Sequence, residues 1–120
     1  MAWELKNDRP IYLQLMEQIK FKIISGVYPP GSKVPTVREL AAEASVNPNT
    51  MQKALSELER EGLLYTNRTS GRFITEDIAM IKEMKLELAK EHLTSFLAQM
   101  KKLGFTNEEI REIMLKNLEE

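Results

Sequence analysis

The chain is 120 residues long, which suits one ordinary domain or a small domain with an appendage. Apolar residues make up 42% and charged residues 29%, a balance that excludes a disordered polymer, and the absence of cysteine excludes disulfides and thiolate metal sites. The net charge of −1 carries no footprint for nucleic acid by itself, but it is unevenly spread: residues 1–75 hold ten Lys or Arg against eight Asp or Glu, net +2, and residues 76–120 hold seven against ten, net −3.

The first residues, MAWELKNDRP, lack the apolar core of a secretory signal, and no later run approaches the roughly 18 apolar residues of a membrane span. A cytoplasmic protein without membrane contact is expected, with Trp3 anchoring the N-terminal arm. A first helix is expected from Pro10 to about Ser25, with Gly26 past its end and an apolar stripe of Tyr12, Leu15, Met16, Ile19 and Ile23 at helical spacing. GVYPPGS must turn, because its prolines and glycines interrupt any ladder, and Lys33 with Val34 could form a very short strand. A second helix opens at TVRE, where Thr36 can cap and Glu39 can reach back as its box partner, and it ends near Glu43 or Ala44. A third begins almost at once, with Asn47 as its cap, Pro48 at its first position and Val46 stapled to Met51. Two short helices joined this tightly make a helix-turn-helix.

After Gly62 the period changes: LLYT and RFIT are short β-prone runs, and NRTSG between them is turn chemistry, so a hairpin wing follows. Glu76 to Leu103 reads as one long helix, stopped by Gly104, with Ile78, Ile81, Met84, Leu88, His92, Phe96, Met100 and Leu103 in a stripe that Leu86, Ala89, Leu93 and Leu97 widen. FTNEEI starts a last helix, with Thr106 as cap, Glu109 as box partner and Ile110, Ile113, Met114 and Leu118 on its apolar face. The expected fold is thus mainly α with a small β-hairpin: a winged helix-turn-helix domain at residues 1–75, and a two-helix dimerisation segment at residues 76–120. A helix of that length spans about 42 Å, more than its own small domain can cover, so its stripe (Ile78, Ile81, Met84, Leu88, Phe96, Met100 and Leu103, with Ile110 and Met114 of the last helix) is expected to pair with a second copy.

The third helix carries the chemistry. An advance of about 100° per residue puts Met51, Ala54, Leu55 and Leu58 on one face and Asn49, Gln52, Lys53, Ser56 and Arg60 on the other. The first turn has no carboxylate, contrary to the usual preference at a helix N-terminus. Asn and Gln can pair bidentately with adenine, Lys can reach guanine or phosphate, and Thr50 stands where a phosphate contact would be made. Lys33 lies just before the second helix, Thr36 caps it and Arg38 is in its first turn; Asn47 caps the third; Arg68 and Arg72 bracket the hairpin tip, with Ser70 and Gly71 between them. Together these residues favour double-stranded DNA as partner. The rival is a winged helix that docks on a protein without sequence-specific DNA binding, but such a surface needs exposed large apolar anchors, and the donor face has none. His92 is the single histidine, so no metal site and no cofactor is expected; without cysteine, a second histidine or a Gly-rich phosphate loop, no enzyme is expected either.

Residues Pro10 to Thr75, through PIYLQ, PPGSKVPTVRELA, VNPNT, LEREGLLYT and SGRF, resemble the GntR family of bacterial transcription regulators, and the short two-helix tail resembles its YtrA-like subfamily. The resemblance implies a homodimeric repressor on a pseudo-palindromic operator, with the regulated operon encoding an ABC-type transporter. It carries DNA contacts onto Arg38, Asn49, Thr50, Gln52 and the wing near Gly71. Two departures stand out: many members have arginine around the positions of Pro48 and Gln52, and the usual GxGTF wing is here TSGRF.

Overall fold

The computed structural model describes residues 3–119. In chain order it has α1 (Ile11–Ile24), α2 (Val37–Ala44), α3 (Pro48–Arg60), β1 (Leu64–Asn67), β2 (Gly71–Ile74), α4 (Ile78–Lys102) and α5 (Asn107–Leu118). The chain divides between Lys82 and Glu83 into two compact units.

In the first unit, α1, α2 and α3 enclose a core of Leu15, Ile19, Leu40, Met51, Ala54, Leu55 and Leu58, each with no exposed surface, closed below by Leu64 and Ile74 of the hairpin. Burying one such leucine or isoleucine is worth about 1.5–3 kcal/mol, so these side chains are a main source of the unit's stability. Pro10 stands outside α1, as its extended cap residue at ψ 134°, so the helix begins one residue later than its first-turn proline implied. The α2–α3 turn is three residues long because Ser45 takes the left-handed conformation, φ 57° and ψ 46°, letting Val46 N–H donate to Ala41 O at 3.0 Å. Among the described residues it is the one non-glycine with positive φ.

The hairpin is antiparallel, pairing Leu64 with Ile74 and Asn67 with Gly71, and Tyr65 stacks on Phe73 across it at 5.7 Å between ring centroids. Lys33 adds a single bridge to Phe73, with Val34 N–H donating to Arg72 O at 2.9 Å and Ile74 N–H to Ser32 O at 2.8 Å. The short strand expected at Lys33 and Val34 is thus reduced to one isolated bridge beside a two-stranded sheet, and that bridge ties the wing's base to the segment leading into α2.

The N-terminal arm is clipped to α1 in a way that helical periodicity conceals. Gln14 sits among apolar residues at 2% exposure, its Nε2 donating to Lys6 O at 2.7 Å and Arg9 O at 2.8 Å while its Oε1 accepts from Lys6 N–H at 2.7 Å. One turn on, Gln18 exchanges the same pair of bonds with Glu4. Another turn on, Lys22 Nζ lies 4.0 Å from the Trp3 ring centroid, so Trp3 does anchor the arm, as a cation–π partner.

α4 starts at Ile78 rather than Glu76, because Asp77 leaves the helix to cap it, its Oδ1 accepting from Met80 N–H at 3.1 Å. Its 25 residues span about 37 Å and none of them is buried. In the second unit Gly104 ends the helix, and α5 opens on a complete capping box between Thr106 and Glu109. That bonding holds the Glu109 carboxyl below its ordinary value of 4.5, first through the Thr106 backbone N–H and then through its side chain. Ile110 is the one buried residue of α5. No helix among the described residues is long and apolar enough to cross a membrane.

Candidate nucleic-acid interface

α3 is built by its neighbours as the sequence requires: the face bearing Met51, Ala54, Leu55 and Leu58 is sealed, which leaves Asn49, Gln52, Lys53 and Ser56 outward. Its front differs from that of a bare helix N-terminus. Asn47 Oδ1 accepts the Asn49 N–H at 2.7 Å, Thr50 N–H donates to Asn47 O at 3.0 Å, and Pro48 has no N–H to offer. The first turn therefore keeps its carboxylate-free dipole end but no spare amide, and Thr50 has only its hydroxyl left for an incoming anion. By contrast α2 carries Glu39 in its first turn, and Thr36 is spent on it, with Oγ1 accepting from Glu39 N–H at 3.2 Å and donating to Glu39 Oε1 at 2.9 Å. Of the two helices in the motif, only α3 leaves its front free of acid.

Beside it runs a groove of about 380 Å³ lined by Lys33, Val34, Pro35, Thr36, Val37, Thr66, Ser70, Gly71 and Arg72. Five of the sequence candidates, Lys33, Thr36, Ser70, Gly71 and Arg72, thus meet at one place, where the wing tip folds over the start of α2. Gly71 has φ 105°, and a Cβ there would come within 3.4 Å of Lys33 Cε, so glycine both makes the turn and lets the lysine stem lie close. Asn67 shapes the tip by accepting from Thr69 N–H at 3.1 Å, a side-chain turn that leaves Arg68 outermost and exposed. Arg38, in the first turn of α2, is likewise exposed.

The cations are not equally available. Lys53 Nζ sits 4.0 Å from the ring centroid of Tyr12, on α1. Arg72 pairs with Glu59, Nε to Oε1 at 3.3 Å, and its side chain is only 20% exposed. Arg60 pairs with Glu57, which raises its pKa further by hydrogen bond and charge. These partners lie 41, 13 and 3 residues away from the cations they hold, and only the last of the three spacings could be read from a helix wheel. Lys33, Arg38 and Arg68 make no side-chain ion pair among the described residues. No three His, Cys, Asp or Glu among the described residues gather into a metal site.

The arrangement of helix, tight turn, acid-free helix and wing matches the model of bacterial regulatory proteins of the gntR family over residues 11–74. The chain belongs to the GntR family. It is 38% identical over 108 residues to the HTH-type transcriptional repressor YtrA of Bacillus subtilis (strain 168), an alignment covering 89% of this chain and 83% of that one. A GntR family transcriptional regulator from Listeria monocytogenes superposes with a TM-score of 0.84 at 38% identity, over 93% of this chain and 98% of that one. The AraR DNA-binding domain, solved in complex with operator ORX1, superposes with a TM-score of 0.54 at 30% identity, over 62% of this chain and 99% of that one. The GntR chain described here is accordingly a regulator of transcription with a winged helix-turn-helix DNA-binding domain and not an enzyme, and its whole-chain likeness is to YtrA-type members.

Proposed function

We propose that this GntR-family protein is a homodimeric, cytoplasmic repressor that binds a pseudo-palindromic operator, with residues 1–75 as the DNA-binding domain and residues 76–120 as the dimerisation segment. The observation that carries the reading is the surface of α3: a donor face of Asn49, Gln52, Lys53 and Ser56 whose first turn holds no carboxylate, next to a groove bearing Lys33, Ser70 and Gly71. α3 enters the major groove; Asn49 and Gln52 meet base edges; Thr50, Asn47, Lys33, Thr36, Arg38 and Arg68 meet or flank phosphates; Lys53 extends the same face once it leaves Tyr12. Ser70 and Gly71 bring the wing backbone close to the duplex, and Arg72 belongs to the scaffold of the face. That a relative's DNA-binding domain forms a complex with operator DNA supports this placement, and the name of the YtrA relative supports repression over activation.

Dimerisation is supported by the lack of any buried residue in α4, which leaves Ile78 50% and Leu86 71% exposed in the single chain and Ile81, Met84, Leu88, Phe96 and Met100 partly so, and by Leu103, just past the helix, at 73%. Pairing these with the same stripe of a second copy, together with Met114 and the remaining edge of Ile110, would remove them from water and set two recognition helices on one operator, whose half-sites would lie about 34 Å apart. The resemblance of the two-helix tail to the YtrA-like subfamily supports an operon encoding an ABC-type transporter as the target.

Fluorescence anisotropy with the duplex upstream of this protein's own gene, beside a scrambled duplex at about 0.15 M salt, tests the reading. Preferential binding of the first is expected, and Arg38→Ala should weaken binding to both duplexes while lowering the salt slope by about one. Equal binding of the two duplexes by the unaltered chain would overturn it.

A further inference from the structure

The wing and the recognition helix are joined by a run of side-chain hydrogen bonds that neither strand pairing nor helix packing requires. Thr66 and Arg72 face each other across the hairpin. Both reach Glu59, near the end of α3: Thr66 Oγ1 donates to its Oε1 at 2.5 Å, and Arg72 Nε donates to the same oxygen at 3.3 Å. The other limb of the guanidinium turns the opposite way along the helix, where Nη1 donates to Gln52 Oε1 at 3.4 Å; Gln52 Nε2 in turn donates to Ser56 Oγ at 3.2 Å. Arg72 is therefore shared between a carboxylate behind the donor face and an amide on it. Its charge is already matched by Glu59, and its side chain is mostly covered.

A glutamine amide has two orientations of nearly equal shape that differ in which end donates and which accepts. Arginine has donors only, so Arg72 tolerates the orientation that presents the carbonyl oxygen and opposes the one that would set N–H against N–H. Gln52 is then left with one unused N–H and one unused lone pair, in a fixed spatial order, on the exposed side of α3. Such a pair complements the N7 and N6 edge of adenine, and reversing its order would shift the match to a different placement of the base.

We propose that Arg72 is a positioning residue for base readout: held by Glu59, it fixes the order of donor and acceptor on Gln52 and so sets the base pair that Gln52 prefers, without touching DNA itself. The proposal rests on α3 lying in the major groove. It assigns a role to the arginine by which TSGRF departs from the more common GxGTF wing, and it makes the wing a partner in specificity through side-chain contacts along the surface of α3.

Selection from a pool of duplexes of randomised sequence tests it, using the full chain unaltered and as Gln52→Ala, Arg72→Lys, Glu59→Ala and the double variant Gln52→Ala with Arg72→Lys, each checked by circular dichroism. Gln52→Ala should erase the preference at one base pair of the half-site. Arg72→Lys keeps the charge but not the two-ended reach, so it should flatten that same pair about tenfold and leave the others unchanged. The double variant should be no flatter there than Gln52→Ala alone. Glu59→Ala, which leaves Arg72 itself in place, should flatten the same pair and steepen the salt dependence by about one unit as the arginine is released. Unchanged base preferences in both Arg72→Lys and Glu59→Ala would overturn the proposal and make Arg72 a phosphate contact, and flattening at a different pair from Gln52→Ala would overturn it as a direct base contact. Failure of the unaltered chain to enrich any sequence would instead sink the DNA-readout function beneath it, a result separate from anything Arg72→Lys can give.

Discussion

α3 and α4 both carry apolar stripes at helical spacing, yet their fates in the single chain are opposite. The 13 residues of α3 include four side chains with no exposed surface, while the 25 residues of α4 include no buried residue at all. Periodicity tells that a helix has a side to hide; it does not tell where the cover comes from. For α3 the cover is α1, α2 and the hairpin of the same chain, so its remaining face is free to be polar and to serve a ligand. For α4 the cover within the chain is incomplete, and the proposed dimer would supply the rest from a second copy.

Four substitutions would break or sharpen that contrast. The largest effect is expected from Phe96→Arg, which puts a cation in the α4 stripe. Light scattering should show the mass of the assembly halved and operator affinity falling with it, while the folding of the first unit stays as it was; an unchanged mass would place the interface elsewhere. Leu55→Ala, on the sealed face of α3, should cost about 2–5 kcal/mol in urea unfolding because the close-packed core cannot collapse around the lost volume. A loss below about 1 kcal/mol would mean that α3 is less enclosed than its zero exposure implies.

Thr106→Ala removes the cap of α5 and should cost about 1 kcal/mol. It should also bring Glu109 part of the way back toward its ordinary pKa, because the side-chain contribution is lost while the larger one from the backbone N–H of residue 106 remains, and the sign follows from the direction of the shift. Because the folded-state value lies below 4.5, the stabilisation from Glu109 is fully present above that pH and is lost as pH falls through the lowered folded value. A carbon-detected NMR titration of the Glu109 carboxyl should show a depressed midpoint in the unaltered chain and a less depressed one in Thr106→Ala. The smallest effect belongs to Ser45→Gly: relief of the left-handed strain at φ 57°, offset by greater freedom in the unfolded chain, should leave a gain of about 0.5 kcal/mol in thermal unfolding. A loss there would mean that the serine side chain supports the turn in a way its backbone does not show.

Local grammar made most of the fold readable. The capping boxes at Thr36–Glu39 and Thr106–Glu109 form as their spacing demands, and the tip NRTSG closes the hairpin where a turn was required. Asp77 was harder to read, since an acid at the start of a helix looks the same whether it is the first residue or the cap. Within the site, sequence could name the residues but not their commitments. Lys53, Arg72 and Thr36 stand where they were expected, but Tyr12, Glu59 and Glu39 engage them, and the first two of these partners become neighbours only after α1 and the hairpin have packed on α3. The buried Gln14 is a related case. On a wheel it is one polar residue next to an apolar stripe; its reason is the main chain of the arm folded over it.

That last contact has a consequence for how the first residues can change. Gln14 and Gln18 grip carbonyls and amides of Glu4, Lys6 and Arg9, atoms that almost every amino acid supplies alike. The clip thus reads the arm as a ribbon and not as a text. Side chains at positions 4, 6 and 9 can be exchanged freely, short of proline at the two positions whose amides donate, and the arm will still close on α1. A single change at position 14 would remove three of the five bonds of the clip whatever the arm's own sequence says, leaving Gln18 and Lys22 to hold its far end.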